Sequence, residues 1–191
     1  TINPLVEGGI LGLRDKHADD AKANNIRWID LVVCNLYPFS KMISQADCDL
    51  MAAMDNVDIG GPTMIRSAAK NVGWVTVVVN PQDYQSIIDE LDEFVEISFE
   101  TRKKLSAKAF GHTAQYDTII HNYLKDEKLS SDLSLTYNKR SAMRYGENPH
   151  QSAAVYQDPN NHSKNILNAK IHQGKQLSYN NIMDADAALS C

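Results

Sequence analysis

The sequence predicts an α/β fold for its first two thirds, followed by the opening of a second domain. Three observations carry that expectation. Two short apolar runs, Asp30–Leu36 and Trp74–Val79, read as buried parallel strands, being unbroken rather than alternating. Helical stretches lie between and after them, as parallel pairing requires. A polar stretch, 126–138, then separates this region from shorter β-like pieces.

Each element follows from local signals. Asp30-Leu31-Val32-Val33-Cys34-Asn35-Leu36 stops at Tyr37-Pro38, where proline ends ladder pairing. Residues 47–54 form a short helical stretch, and Pro62 suits the first position of a helix reaching about Asn71. Asn80-Pro81 caps a further helix through about Leu91. Ser98 opens a long helix ending near Lys125, with Leu105, Ala109, His112, Tyr116 and Ile119 on one buried face. Residues 153–156 and 165–167 read as β-like pieces around an Asp158-Pro159-Asn160-Asn161 turn, and 181–191 as a helix. The boundary falls near Asp132, giving domains of 1–131 and 132–191. The chain opens on Thr1 rather than Met, with a strand-like segment soon after, so a preceding segment is expected.

Composition limits the function. The 191 residues are 43% apolar and 23% charged, enough for a real core. A net charge of −5 argues against a nucleic-acid or anionic-membrane binder, though a pocket can be locally positive. Cys34, Cys48 and Cys191 are odd in number and far apart, which suggests neither disulfides nor zinc; a reducing cytosol is the simplest home. No apolar run approaches membrane-spanning length.

Three segments are rich in chemistry. Cys34–Phe39 leaves a predicted strand at its carboxyl end, where open α/β sheets bind ligands, so Asn35 and Tyr37 could offer an amide and a phenol. It also reads as a plain loop exit with packed aromatics, and on residues alone that reading leads. Asp58-Ile59-Gly60-Gly61-Pro62-Thr63 runs into a helix whose free N–H groups favour an anion. No Gly-Lys-Ser/Thr follows, so it is not a nucleotide-triphosphate loop. Thr63, Arg66 and Lys70 share one stripe, opposite Ile65, Ala68 and Ala69. Lys70 stands roughly 12 Å above the expected helix start, leaning back toward it; spacing permits an Asp58–Lys70 pair without demonstrating one. Arg144–Gln151 packs a guanidinium, phenol, amide and imidazole onto an irregular segment, suited to a phosphate or carboxamide, or equally to capping a turn. Gly174–Asn181 is similarly open. The isolated histidines 17, 112, 121, 162 and 172 read as surface or helix-packing residues.

In order, NLYPF (35–39), DIGGPTMIRSAAKN (58–71), KAFGHTAQYD (108–117), RYGENPHQ (144–151) and GKQLSYNN (174–181) resemble the AICAR transformylase/IMP cyclohydrolase family along essentially the whole chain. The resemblance implies the later part of a methylglyoxal-synthase-like cyclohydrolase domain, then the start of a cytidine-deaminase-like α+β transformylase domain. It implies a purine-nucleotide site at Thr1, Cys34, Asn35, Tyr37, Asp58, Ile59 and Gly60, with Lys70 moving a proton. Arg144, Tyr145 and His150 would hold AICAR. The implied reactions are formyl transfer from 10-formyltetrahydrofolate to AICAR and closure of formyl-AICAR to IMP, the closure without metal or cofactor. The implied assembly is a homodimer with transformylase sites built across its interface, while net charge and hydropathy argue against nucleic-acid and membrane partners. Asn3 and Glu7 stand where the family usually has histidines, and further family site residues fall outside the chain, so the chain alone is expected to show neither activity at normal rates. Two other readings compete: a sensor of small phosphorylated ligands on a methylglyoxal-synthase-like domain, and an oligomerisation scaffold built on the long helix. Neither accounts for RYGENPHQ.

Overall fold

A computed structural model describes residues 2–125, 129–159, 161 and 163–191. The chain divides into two compact units, Thr1–Ser130 and Ser131–Cys191.

The first unit begins with helices rather than a strand. Asn3 accepts a hydrogen bond from the Leu5 N–H at 2.8 Å and Pro4 follows, so cap and proline start α1 (Pro4–Leu11). After α2 (Ala18–Ala23) comes β1 (Leu31–Val33), shorter than the apolar run and buried only at Val32. The expectation of a fully buried strand is corrected here. Among the described residues β1 pairs with a single neighbour, and Leu31 and Val33 are exposed. That neighbour is β2 (Thr76–Val78), all three residues buried, in parallel register with Val32 opposite Val77. The α/β class therefore holds, with a small parallel sheet.

Between the strands run α3 (Phe39–Ile43), α4 (Leu50–Asp55) and α5 (Gly60–Lys70). α5 starts two residues before the expected Pro62, which sits in the first turn; there a missing N–H breaks no intrahelical bond. Its apolar stripe is as anticipated: Ile65, Ala68 and Ala69 are buried against the sheet and α7 (Phe99–Leu124). Asn71, just past α5, donates to the Ile10 carbonyl at 2.7 Å and the Gly12 carbonyl at 3.1 Å, closing the end of α1.

A single 3₁₀ turn (Pro81–Asp83) capped by Asn80 leads into α6 (Tyr84–Phe94). The Ser98 side chain caps α7 as expected, and Leu105, Ala109, Tyr116 and Ile119 are buried. Gly111 sits exposed in the middle of α7, and a Cβ there would meet nothing within 4 Å. Gly111→Ala is therefore expected to raise stability by about 0.5–1 kcal/mol, read from a denaturant midpoint.

In the second unit, β3 (Asn138–Ala142) and β4 (Ala154–Gln157) form an antiparallel ribbon, with an irregularity between Lys139 and Ser141. β3 is a strand the sequence does not announce. Residues 165–167, expected to be β-like, belong instead to a 3₁₀ turn (Ile166–Asn168), because the Asn165 side chain accepts from Leu167 N and Asn168 N. α8 (Tyr179–Ser190) opens on a capping box between Ser178 and Asn181. Among the described residues, no helix is long and apolar enough to cross a membrane.

Candidate functional site

The carboxyl end of β1 releases the chain into Cys34–Phe39 and a cleft of about 390 Å³ lined by Asn35, Tyr37 and Lys41 on one side and by His112, Tyr116 and Ile119 of α7 on the other. Asn35 is fixed from two directions. Its Nδ2 donates to the Val79 carbonyl at 3.1 Å, and its Oδ1 accepts from the Tyr84 hydroxyl at 3.2 Å. Tyr37 is exposed, and Phe39 plugs into the core beneath it.

The diglycine segment meets this strand exit. A Cβ on Gly61 would lie 2.6 Å from Leu36 Cδ2 and 2.7 Å from Asp58 Oδ2, so only glycine allows the two loops to approach so closely. Asp58 folds its carboxylate onto the start of α5, where Oδ1 accepts the Gly61 N–H at 2.7 Å. The Asp58 backbone N–H donates to the Tyr116 hydroxyl at 2.9 Å. Burial pushes the Cys34 thiol above its ordinary range, and the Asp58 charge adds to that push. The Tyr116 phenol is raised by burial first, with Asp58 and Asp117 adding to it against the opposing hydrogen bond from the Asp58 backbone. The Asp58 charge therefore acts on both the Cys34 thiol and the Tyr116 phenol. Ile59 is exposed and Gly60 opens the helix beside them.

Cys34, Asn35, Tyr37, Asp58, Ile59 and Gly60 thus gather where β1 ends and α5 begins. Lys70 does not join Asp58. It is the exposed last residue of α5, roughly 15 Å along the axis from Gly60, and among the described residues the two form no ion pair. Thr1 lies outside the described residues, as does His162. Asn3 serves as a helix cap, while both carboxylate oxygens of Glu7 are buried without a hydrogen-bond partner.

In the second unit, Arg144 is exposed and its guanidinium lies 5.4 Å from the Tyr145 ring centroid. Their loop is folded by Gly146 N–H to the Gln151 carbonyl at 2.8 Å and by Asn148 N–H to Gln151 Oε1 at 2.8 Å. His150 is exposed on the same loop.

Sequence reasoning passed over two residues of the cleft. Tyr116 counted only as a helix-face position and His112 only as a packing histidine, yet both line it. His112 Nε2 is buried with no partner, and its pKa is lowered by burial first and then by Lys108. The unfolded chain, with an ordinary imidazole near 6.5, binds its proton first on acidification. The His112 contribution is therefore whole above that value and drains away as pH falls toward the lowered folded one. His112→Gln is expected to lose less stability than the wild type between about pH 7 and pH 5, in paired thermal melts.

A second hollow of the first unit, of about 340 Å³, lies at the opposite edge of the sheet, beside Asp30 and Thr76. Its cations are already engaged. Arg14 pairs with Asp30 at 2.7 Å, and Arg102 donates to the carbonyls of Val72, Gly73 and Ile97. Among the described residues, no group of three or more His, Cys, Asp or Glu is gathered to hold a metal.

Residues 68–191 match the AICARFT/IMPCHase bienzyme family. The bifunctional purine biosynthesis protein PurH of Listeria monocytogenes serotype 4b (strain CLIP80459) is 50% identical over 99% of this chain. The proteins of the same name from Anoxybacillus flavithermus and Bacillus cereus (strain AH187) are 47% and 48% identical over 99% and 100% of it. The chain spans 38% of the length of each of these relatives. Among solved structures, the crystal structure of ForH matches at a TM-score of 0.56 and 31% identity, over 63% of this chain and 63% of that one.

Proposed function

The chain belongs to the AICARFT/IMPCHase bienzyme family, and from that premise we propose that it carries part of each site of a purine-biosynthetic enzyme. The first unit would close formyl-AICAR to IMP with loss of water. The second would contribute Arg144, Tyr145 and His150 to AICAR binding for formyl transfer from 10-formyltetrahydrofolate. We assign the first unit to the methylglyoxal-synthase-like fold and the second to the start of a cytidine-deaminase-like domain. The working assembly we propose is a cytosolic homodimer.

One observation carries the reading: the β1 exit and the start of α5 meet at Gly61, placing Asp58 beside the strand end that bears Cys34, Asn35 and Tyr37. Ring closure needs the carboxamide nitrogen to attack the formyl carbon, charge to be stabilised on oxygen, and water to leave. Asp58 is suited to orient the amide or accept its proton, and Tyr37 to donate to the oxygen that departs. The free N–H groups at the start of α5 suit an anionic part of the substrate. Lys70, a full helix length away, would act on a different part of the substrate from Asp58 rather than pair with it. Both reacting groups belong to one molecule, so holding them in contact supplies much of the acceleration.

The test is direct. The full-length gene product is supplied with formyl-AICAR, and separately with AICAR and 10-formyltetrahydrofolate, and IMP is followed. Formation of IMP in both assays is expected. Tight nucleotide binding with no turnover in either would favour a sensor of phosphorylated ligands instead.

A further inference from the structure

We propose that Tyr116 is a positioning residue of the cyclisation site, fixing through its hydroxyl the loop that presents Asp58. The inference rests on the reading of the cleft given above. Tyr116 projects from α7, 58 positions away from Asp58 in sequence, and its phenol bonds on both sides: it accepts the Asp58 N–H at 2.9 Å and donates to the Asn56 carbonyl at 3.4 Å. Its ring stands edge-on to Phe39, centroids 6.4 Å apart at 69°. One side chain, only 8% exposed, therefore touches both loops that build the site, the 35–39 exit and the 56–58 turn.

The carboxylate depends on this tie. Asp58 Oδ1 is held by Gly61 N–H, so its side chain moves with its backbone. The Asp58 N–H lies ahead of α5 and outside that helix's own bonding, and it donates to the Tyr116 hydroxyl. With the hydroxyl removed, a half-buried N–H loses its acceptor and the turn must shift to find water. Reaction rates respond steeply to such displacements, whereas binding spread over many contacts does not.

Tyr116→Phe keeps the ring and its packing on Phe39, Ala53 and Ile119 and deletes only the two bonds. In the full-length gene product, kcat for formyl-AICAR cyclisation is expected to fall about 10- to 100-fold, with KM changing less than about threefold. Leu105→Ala serves as the comparison. It lies on the same helix in a separate cluster with Val78, Ile87 and Ile97, and should lower the melting temperature at least as much while leaving kcat within about twofold. A Tyr116→Phe enzyme with wild-type kcat, or a Leu105→Ala enzyme that loses as much turnover, overturns the positioning role and leaves the proposed function standing. A wild-type enzyme that forms no IMP overturns both.

Discussion

Asp58→Asn is expected to lower the cyclisation rate about 100- to 1,000-fold while leaving the fold in place. The substitution is nearly isosteric. Asn Oδ1 can still accept the Gly61 N–H that Asp58 Oδ1 accepts at 2.7 Å, and the backbone N–H bonded to Tyr116 is untouched. What disappears is the negative charge and the capacity to take a proton. Loss of the charge at the start of α5 costs about 0.3–1 kcal/mol of stability, small beside the loss of rate. An internal reporter accompanies it. Asp58 helps to raise the Cys34 thiol, so Cys34 in Asp58→Asn should titrate at lower pH than in the wild type, measurable by thiol alkylation rate against pH. Unchanged turnover in a variant whose Cys34 does shift would remove Asp58 from the chemistry.

Gly61→Ala is expected to damage stability and activity together. The added methyl would sit 2.6 Å from Leu36 Cδ2, 2.7 Å from Asp58 Oδ2 and 2.9 Å from Asp58 Cγ. Leu36 is packed between two core clusters and cannot retreat freely, so the Asp58 carboxylate must swing aside. Overpacking of this kind costs about 1–3 kcal/mol, a melting-point drop of roughly 3–10 °C in a chain of this size. Cyclisation should fall at least as far as in Tyr116→Phe, since the carboxylate itself is displaced. Gly111→Ala, in open space on α7, carries the opposite sign for stability and separates a general glycine effect from a local clash. A Gly61→Ala protein as stable as the wild type would mean that the two loops do not approach as described.

These expectations depend on features of very different visibility in the sequence. α7 was legible end to end, because Ser98 is a true cap and the apolar positions recur at helical spacing for 26 residues. The far end of α6 was not: it closes on Val95 in the left-handed region, a conformation rare for a β-branched residue, where glycine would have signalled the stop. β3 has no apolar alternation, since all five residues are exposed, and only its partner β4 makes it a strand. At residues 165–167 the apolar pair Ile166-Leu167 suggested a strand, but the flanking Asn165 side chain took two backbone N–H groups and wound the segment into a turn.

The site divides along the same line. The placement of Asn35 and Tyr37 follows from a strand end, and that of Asp58 and Gly60 from a helix start, both local signals. The diglycine reads in sequence as a place where backbone can come close to a ligand; in the structure Gly61 lies against Leu36 and the Asp58 carboxylate, contacts that no local pattern announces. Tyr116 and His112 reach the cleft through contacts between residues distant in sequence, which no local pattern encodes. Lys70 illustrates the converse. Its spacing from Asp58 permitted a pair without demonstrating one, and with α5 beginning at Gly60 the two stand at opposite ends of the helix.

Amide chemical shifts of the isotopically labelled protein titrated with IMP give the most direct reading of whether the β1 exit and the α5 start form one nucleotide site. The expected perturbations cluster at residues 34–39, 58–61 and 112–116, and saturate together with a single dissociation constant. Perturbations centred on Arg14, Trp74 and Arg102 at the opposite edge of the sheet, or shifts at 34–39 and 58–61 that saturate at different concentrations, would contradict it.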